Sequence, residues 1–226
     1  MRSLAFGVLA LAMLGGCATD PGIYQTPPIQ APISREPTGP NLYSSAPRAA
    51  LHSELFACNG GGGSNIGEIG ARGESLAYTP YLHTPTLALM RMPVETACLS
   101  SGFGWRGLAD GGERQHNGLD LANPNGGFVY AAADGWISSA DWRGGYGIAV
   151  EIDHGEGVRS FYAHMSDADP NLRPGVFVAA GQPIGRMGRT GNATGVHLHY
   201  EVRVDGLTVD PLHYGPPPSE DPKPVM

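Results

Sequence analysis

The sequence predicts a mostly β protein: a small antiparallel sheet or sandwich, preceded by a flexible proline-rich tether and followed by a short disordered tail. Three observations carry that prediction. The 34 glycines and 20 prolines of the 226-residue chain are unevenly spread, with prolines crowded into residues 21–47 and 211–224 and glycines punctuating apolar runs between 102 and 206. The runs FVYAAADGWISSADW, GIAVEIDHG, VRSFYAHMS and VHLHYEVRVDG have β-type composition and are bounded by Gly, Asp and Asn turns. No long amphipathic helix can be drawn after residue 93.

The chain opens with MRSLAFGVLALAMLGGC. After Arg2, the apolar run from Leu4 to Gly16 is too short to span a bilayer and the right size for the core of a signal peptide. Small residues lead into Cys17, and the stretch resembles a bacterial lipobox, whose cysteine is acylated and becomes the new N-terminus. An ordinary cleaved signal with an incidental cysteine is the alternative. Residues 1–16 are thus expected to be a lipoprotein signal peptide and Cys17 the lipidation site, giving a membrane anchor of several acyl chains, which hold where a single chain does not. Ala18 stands where an aspartate linked to inner-membrane retention would be, which points to the outer membrane, facing the periplasm.

Residues 17–50, with Pro21, Pro27, Pro28, Pro32, Pro37, Pro40 and Pro47, lack apolar periodicity and read as a tether of polyproline character. Fully extended, it would reach on the order of 100 Å. Residues 51–92 contain LHSELFAC, compatible with a short helix, then a NGGGGSN break and a mixed apolar strip. This segment is expected to pack on the following domain, residues 93–214, and the tail 215–226 to be disordered. Setting Cys17 aside leaves an even pair, Cys58 and Cys98, in an oxidising compartment, where a disulfide is the expected use. Closing a loop of that length is worth about 4 kcal/mol by the chain-entropy estimate.

The formal charge of −7 argues against nucleic-acid binding and against an electrostatic hold on anionic membranes. Lys223 in the tail is the only lysine. Schiff-base and Ser–Lys chemistry are therefore excluded from the core. So is a biotinyl or lipoyl carrier, which GVFVAAGQPIG resembles but which needs a lysine at a hairpin tip.

The chemistry lies with the histidines. His197 and His199 in VHLHYEV are two apart on a predicted strand, so both imidazoles face one space. An isolated pair of this kind is ordinarily a solvated strand face. A second motif, RQHNGLDLA, holds His116 and Asp120 four apart, on one face of a strand or a helix, and Asn117 and Gly118 argue against a helix interior. On a strand, Gly118 would lie between the two and leave space for a metal. Two ligands from here and one from HLH would make a His/Asp/His set, suited to zinc with its fourth position open. His164 in FYAHMS follows an apolar strand at a turn. His154, in the hairpin IDHGEGVRSF, reads as a turn residue only.

Taken together these motifs make residues 94–214 resemble the lysostaphin/LytM-type zinc metallopeptidases of bacterial cell walls. The matching landmarks are SGFGWR (101–106), HNGLDL (116–121), VYAAADGWI (129–137), FYAHM (161–165), GQPIGRMGRTGNATGVHLHYEVRVDG (181–206) and DPL (210–212). The resemblance implies the family's small antiparallel domain, the duplicated hybrid motif. It implies one zinc per chain on His116, Asp120 and His199, with His164 and His197 as further active-site histidines. It implies hydrolysis of peptide cross-links on peptidoglycan stems, D-Ala–meso-diaminopimelate bonds in a diderm envelope. In that reading His197 is the general base and His164 donates a hydrogen bond to the oxyanion or the water. The alternative is a non-catalytic activator of another wall hydrolase, an amidase, with a regulatory partner. The tyrosine that some relatives place before the first ligand is missing from GLADGGERQ (107–115).

Overall fold

Alternation of side chains along short strands explains most of the architecture. The structure is a computed structural model that describes residues 54–58, 76–77, 81–83, 88–90, 92–107 and 112–212. Cys17, the expected signal peptide, the tether and the tail 215–226 lie outside the described residues. In chain order the first strands are β1 (Glu54–Leu55), β2 (Leu76–Ala77), β3 (Tyr81–His83), β4 (Ala88–Met90), β5 (Cys98–Ser101), β6 (Gly104–Gly107), β7 (Glu113–His116) and β8 (Leu119–Ala122). They continue with β9 (Phe128–Tyr130), β10 (Gly135–Trp142), β11 (Ile148–Gly155), β12 (Val158–Ala168), β13 (Phe177–Val178), β14 (Pro183–Met187), β15 (His197–Val204) and β16 (Leu207–Val209). Among the described residues the one helical piece is a 3₁₀ turn, Gly144–Tyr146.

The main antiparallel sheet runs β13-β10-β11-β12-β15-β8-β5, with β16 added to β15 and β14 bridging β12 and β9. Its core face is set by period-two burial. Leu119 and Leu121 of β8, Leu198, Tyr200 and Val202 of β15, and Val158 and Tyr162 of β12 join one buried apolar cluster. Each such side chain contributes about 1.5–3 kcal/mol by leaving water. The opposite face of β8 and β15 carries Asp120, His197, His199 and Glu201, which is the alternation expected of VHLHYEV.

Strand β12 forks. Up to Ala163 it pairs with β15, and from Met165 it pairs with β14. His164 sits at the fork with φ +60°, left-handed backbone that costs a non-glycine residue about 1–2 kcal/mol. It therefore lies inside a continuous strand and not at a turn after one.

Three other local expectations change. LHSELFAC is not helical where it is described: Glu54–Leu55 is a strand, and Ala57 bridges Leu99 in parallel. Leu55 is fully buried in the core, so packing against β5 overrides the local helical pattern. FVYAAADGWISSADW divides into β9 and β10 at the buried Ala131–Ala133. His154 belongs to β11 and is buried: its Nδ1 is 2.8 Å from the Asp134 carbonyl and its Nε2 2.7 Å from Ser160 Oγ. The Ser160 hydroxyl in turn meets the Tyr162 hydroxyl, which accepts from the Ala132 amide.

Cys58 and Cys98 form a disulfide with Cα atoms 4.9 Å apart. It ties residues 54–58 to β5, where the Cys58 amide also donates to the Leu99 carbonyl at 3.1 Å.

Candidate metal centre

Asp120 and His199 are direct cross-strand partners of β8 and β15. His116 reaches them from β7, a different strand, because the chain breaks pairing at Asn117–Gly118. The expectation of one strand carrying both His116 and Asp120 is thereby corrected. So is the role given to Gly118: a Cβ there would overlap the Tyr200 carbonyl oxygen, so the glycine admits the backbone of β15 and not a metal.

Three donor atoms converge. His116 Nε2 is 3.1 Å from Asp120 Oδ1 and 3.1 Å from His199 Nδ1, and His199 Nδ1 is 2.9 Å from Asp120 Oδ1. The other nitrogen of each ring is engaged elsewhere. His116 Nδ1 lies 2.6 Å from the Gly102 carbonyl, and His199 Nε2 lies 3.0 Å from Glu201 Oε1. Both partners only accept, so those nitrogens carry the protons. His116 Nε2, His199 Nδ1 and the Asp120 carboxylate are left as lone pairs facing one another. Three lone pairs so placed repel unless a cation is shared among them. Both rings are 5% exposed, so water supplies little relief. Two imidazoles and a carboxylate suit one divalent cation of borderline character.

With no cation present, protons are drawn into the same space, and the protonation directions show it. Burial pushes the Asp120 carboxyl up, but the hydrogen bonds and charges of His116 and His199 outweigh it and hold it well below the usual carboxylate range. Burial pushes the His199 imidazole down, yet the carboxylates of Asp120 and Glu201 raise it overall.

His164 and His197 stand beside this group. Their ring centroids are 4.8 Å apart, and His164 lies 5.9 Å from the His199 ring. His197 Nδ1 is 2.9 Å from the Gly195 carbonyl, and its Nε2 is 3.7 Å from Asp120 Oδ1. His164 Nδ1 is 2.8 Å from the Thr190 carbonyl. Burial, helped by the neighbouring imidazoles, pushes His164 down to about 4, so it is neutral at pH 7. With its one proton on Nδ1, neutral His164 can accept at Nε2 but not donate there.

Three further residues at the site escape a reading by motif. Glu201 lies two residues beyond His199, and the same period-two rule that relates the histidines would have found it. Arg106 places Nη1 2.9 Å from Ser101 Oγ and 3.6 Å from Asp120 Oδ2. Tyr146 comes from the 3₁₀ turn, with its ring centroid 5.5 Å from that of His199 and its hydroxyl 3.0 Å from Glu201 Oε1. No local pattern in the sequence announces it.

A main sheet that offers Asp120 and His199, and a separate β6–β7 hairpin that offers His116, with two more histidines alongside, define the class as a candidate single-metal protein. Residues 114–211 match the family model of peptidase family M23, which makes this stretch an M23 domain. The DD-carboxypeptidase/endopeptidase Mpg of Neisseria meningitidis is 44% identical over 110 residues, 47% of this chain and 24% of that protein. The murein hydrolase activator EnvC of Escherichia coli is 37% identical over 100 residues, 44% of this chain and 23% of that protein. The match thus spans about a quarter of the length of these curated relatives. A crystal structure of a zinc-containing peptidase from Vibrio cholerae is similar with a TM-score of 0.52 at 33% identity, covering 56% of this chain and 40% of that one.

Proposed function

We propose that this chain is a zinc-dependent endopeptidase that cuts peptide cross-links of peptidoglycan, at D-Ala–meso-diaminopimelate bonds. The observation that carries the reading is the convergence of His116, Asp120 and His199, with two proton-handling histidines beside them. Those three residues would hold one zinc. Bound there, zinc supplies a Lewis acid that polarises the scissile carbonyl and makes an attacking water more acidic.

The protein's own groups do the rest. His197, its Nδ1 proton engaged by the Gly195 carbonyl, turns Nε2 toward the centre. It takes a proton from the attacking water and, as imidazolium, passes it to the leaving amine. His164, held neutral, accepts a hydrogen bond and orients the water. This is a change from the donor role expected of it, and it follows from the partner of its Nδ1.

The proposed setting keeps the boundaries read from the sequence. These are a signal peptide over 1–16, lipidated Cys17 at the head of a tether to residue 50, a packed segment over 51–92 and the peptidase domain over 93–214. The anchor would hold the domain to the outer membrane, facing the wall in the periplasm. Likeness to a protein named a murein hydrolase activator supports a second reading, in which the groove engages an amidase and cuts nothing.

Digestion of purified sacculi separates the two. The proposal expects dimeric muropeptides to become monomers, with free D-Ala and diaminopimelate ends at the cut, and no release by a His116→Ala variant. Intact dimers together with a stimulated amidase would favour the activator.

A further inference from the structure

We infer that Glu201 is a positioning residue for the metal centre: its carboxylate fixes His199 with the proton on Nε2, so that Nδ1 is always presented as a ligand. The inference rests on the metal-site reading above and adds a residue to it.

Glu201 is fully buried, an environment in which a carboxylate is stable only when its oxygens are satisfied. They are. Oε1 lies 3.0 Å from the Tyr146 hydroxyl and 3.0 Å from His199 Nε2. Oε2 lies 2.9 Å from Arg203 Nε and 2.6 Å from Arg203 Nη2. An ionised carboxylate has about four acceptor sites and no proton to give. With two charge-assisted bonds from Arg203, His199 can enter this set only as an Nε2–H donor.

The carboxylate is itself held in place. Arg203 Nη1 is 2.7 Å from Glu151 Oε1, and its guanidinium lies 4.6 Å over the Phe161 ring. Phe161 packs with Ala149, Ala163 and Tyr146 in a small buried cluster on the site face of the sheet. Rigidity thus runs from this cluster through Arg203 to Glu201 and on to His199. An ordinary buried ion pair between residues two apart would need only the Arg203 side. The use of Oε1 by the imidazole and the tyrosine is what marks the second task.

Carboxylates that accept from the outer nitrogen of a ligand histidine fix its tautomer and raise its basicity, and losing one costs 10–100-fold in metal affinity. Glu201→Gln keeps the shape but must turn an amide NH₂ toward either Arg203 or His199. It is expected to weaken zinc binding 10–100-fold in competition with a chromophoric chelator. Tyr146→Phe, which leaves the buried pair intact, is expected to weaken it less and in the same direction. Long-range ¹H–¹⁵N spectra of the zinc-loaded wild type should show His199 protonated on Nε2.

Zinc affinities of Glu201→Gln and of wild type within twofold, or a wild-type His199 protonated on Nδ1, would overturn the inference. If Glu201→Gln does not fold, the wild-type tautomer and the Tyr146→Phe affinity decide. Failure of the wild type to bind zinc would instead sink the metal-site reading, a result distinct from either.

Discussion

Two buried histidines on the strands that flank β12, His154 of β11 and His199 of β15, meet opposite surroundings. His154 spends both nitrogens on neutral groups, the Asp134 carbonyl and the Ser160 hydroxyl, and burial pushes its pKa down. His199 is just as buried, but one nitrogen faces the Glu201 carboxylate and the other faces Asp120 and His116. The first network closes on itself and needs nothing. The second turns three donor atoms inward, an arrangement that one shared divalent cation would complete. Burial alone therefore does not mark a functional histidine. What marks it is whether its partners within the chain satisfy it.

The difference can be sharpened first through the residues beside the centre. His197→Ala and His164→Ala should each lower peptidase turnover by about 10²–10⁴, the usual size of a general acid–base contribution. Both should retain zinc at the wild-type level, since neither is one of the three converging donors. Turnover and metal content measured on the same preparation check this, and parallel loss of zinc would place them among the ligands.

A smaller effect is expected from the backbone that positions the centre. Gly118→Ala forces a Cβ into the Tyr200 carbonyl, between His199 and Glu201 in sequence, and should cost about 3 kcal/mol of stability. Chemical unfolding of the purified variant measures it, and an unchanged midpoint would mean that β7 and β8 shift apart freely.

The smallest effect belongs to the closed network. His154→Leu leaves the Asp134 carbonyl and the Ser160 hydroxyl without their imidazole, a loss of about 1–3 kcal/mol, and should leave zinc content unchanged. Its pH dependence carries the sign. The folded value of His154 lies below its unfolded value, so the unfolded chain binds the proton more readily. Wild-type stability from this group is present above about pH 6.5 and is lost as pH falls through and below that value. Unfolding curves between pH 7.5 and 5 should therefore lose less stability in His154→Leu than in wild type. Equal slopes would show that His154 is not buried as a neutral ring.

The same comparison explains what was legible in the sequence. Period-two alternation put His197 and His199 on one face, and the cross-strand pairing of His199 with Asp120 realises the convergence that the spacing implied. The β character of residues 135–204 was readable from composition and turns. What stayed hidden depended on neighbours distant in sequence. His154 looks like a turn residue until Ser160 and Asp134 are seen around it. His164 looks like a strand end because nothing local shows that β12 changes partners there. Gly118 suggests space for an ion, but the space belongs to the Tyr200 backbone. Tyr146 bonds to Glu201 from 55 residues away, a contact set by the packing of a 3₁₀ turn against the sheet and by no motif. Glu201 alone was within reach of the alternation already in use.

The central claim is that His116, Asp120 and His199 together require a cation. The most direct measurement is the zinc content of purified protein, wild type against Asp120→Asn, by inductively coupled plasma mass spectrometry after dialysis against a weak chelator. The account predicts one zinc per wild-type chain and essentially none in the variant. Equal zinc in the two proteins, or none in either after reconstitution, would contradict it.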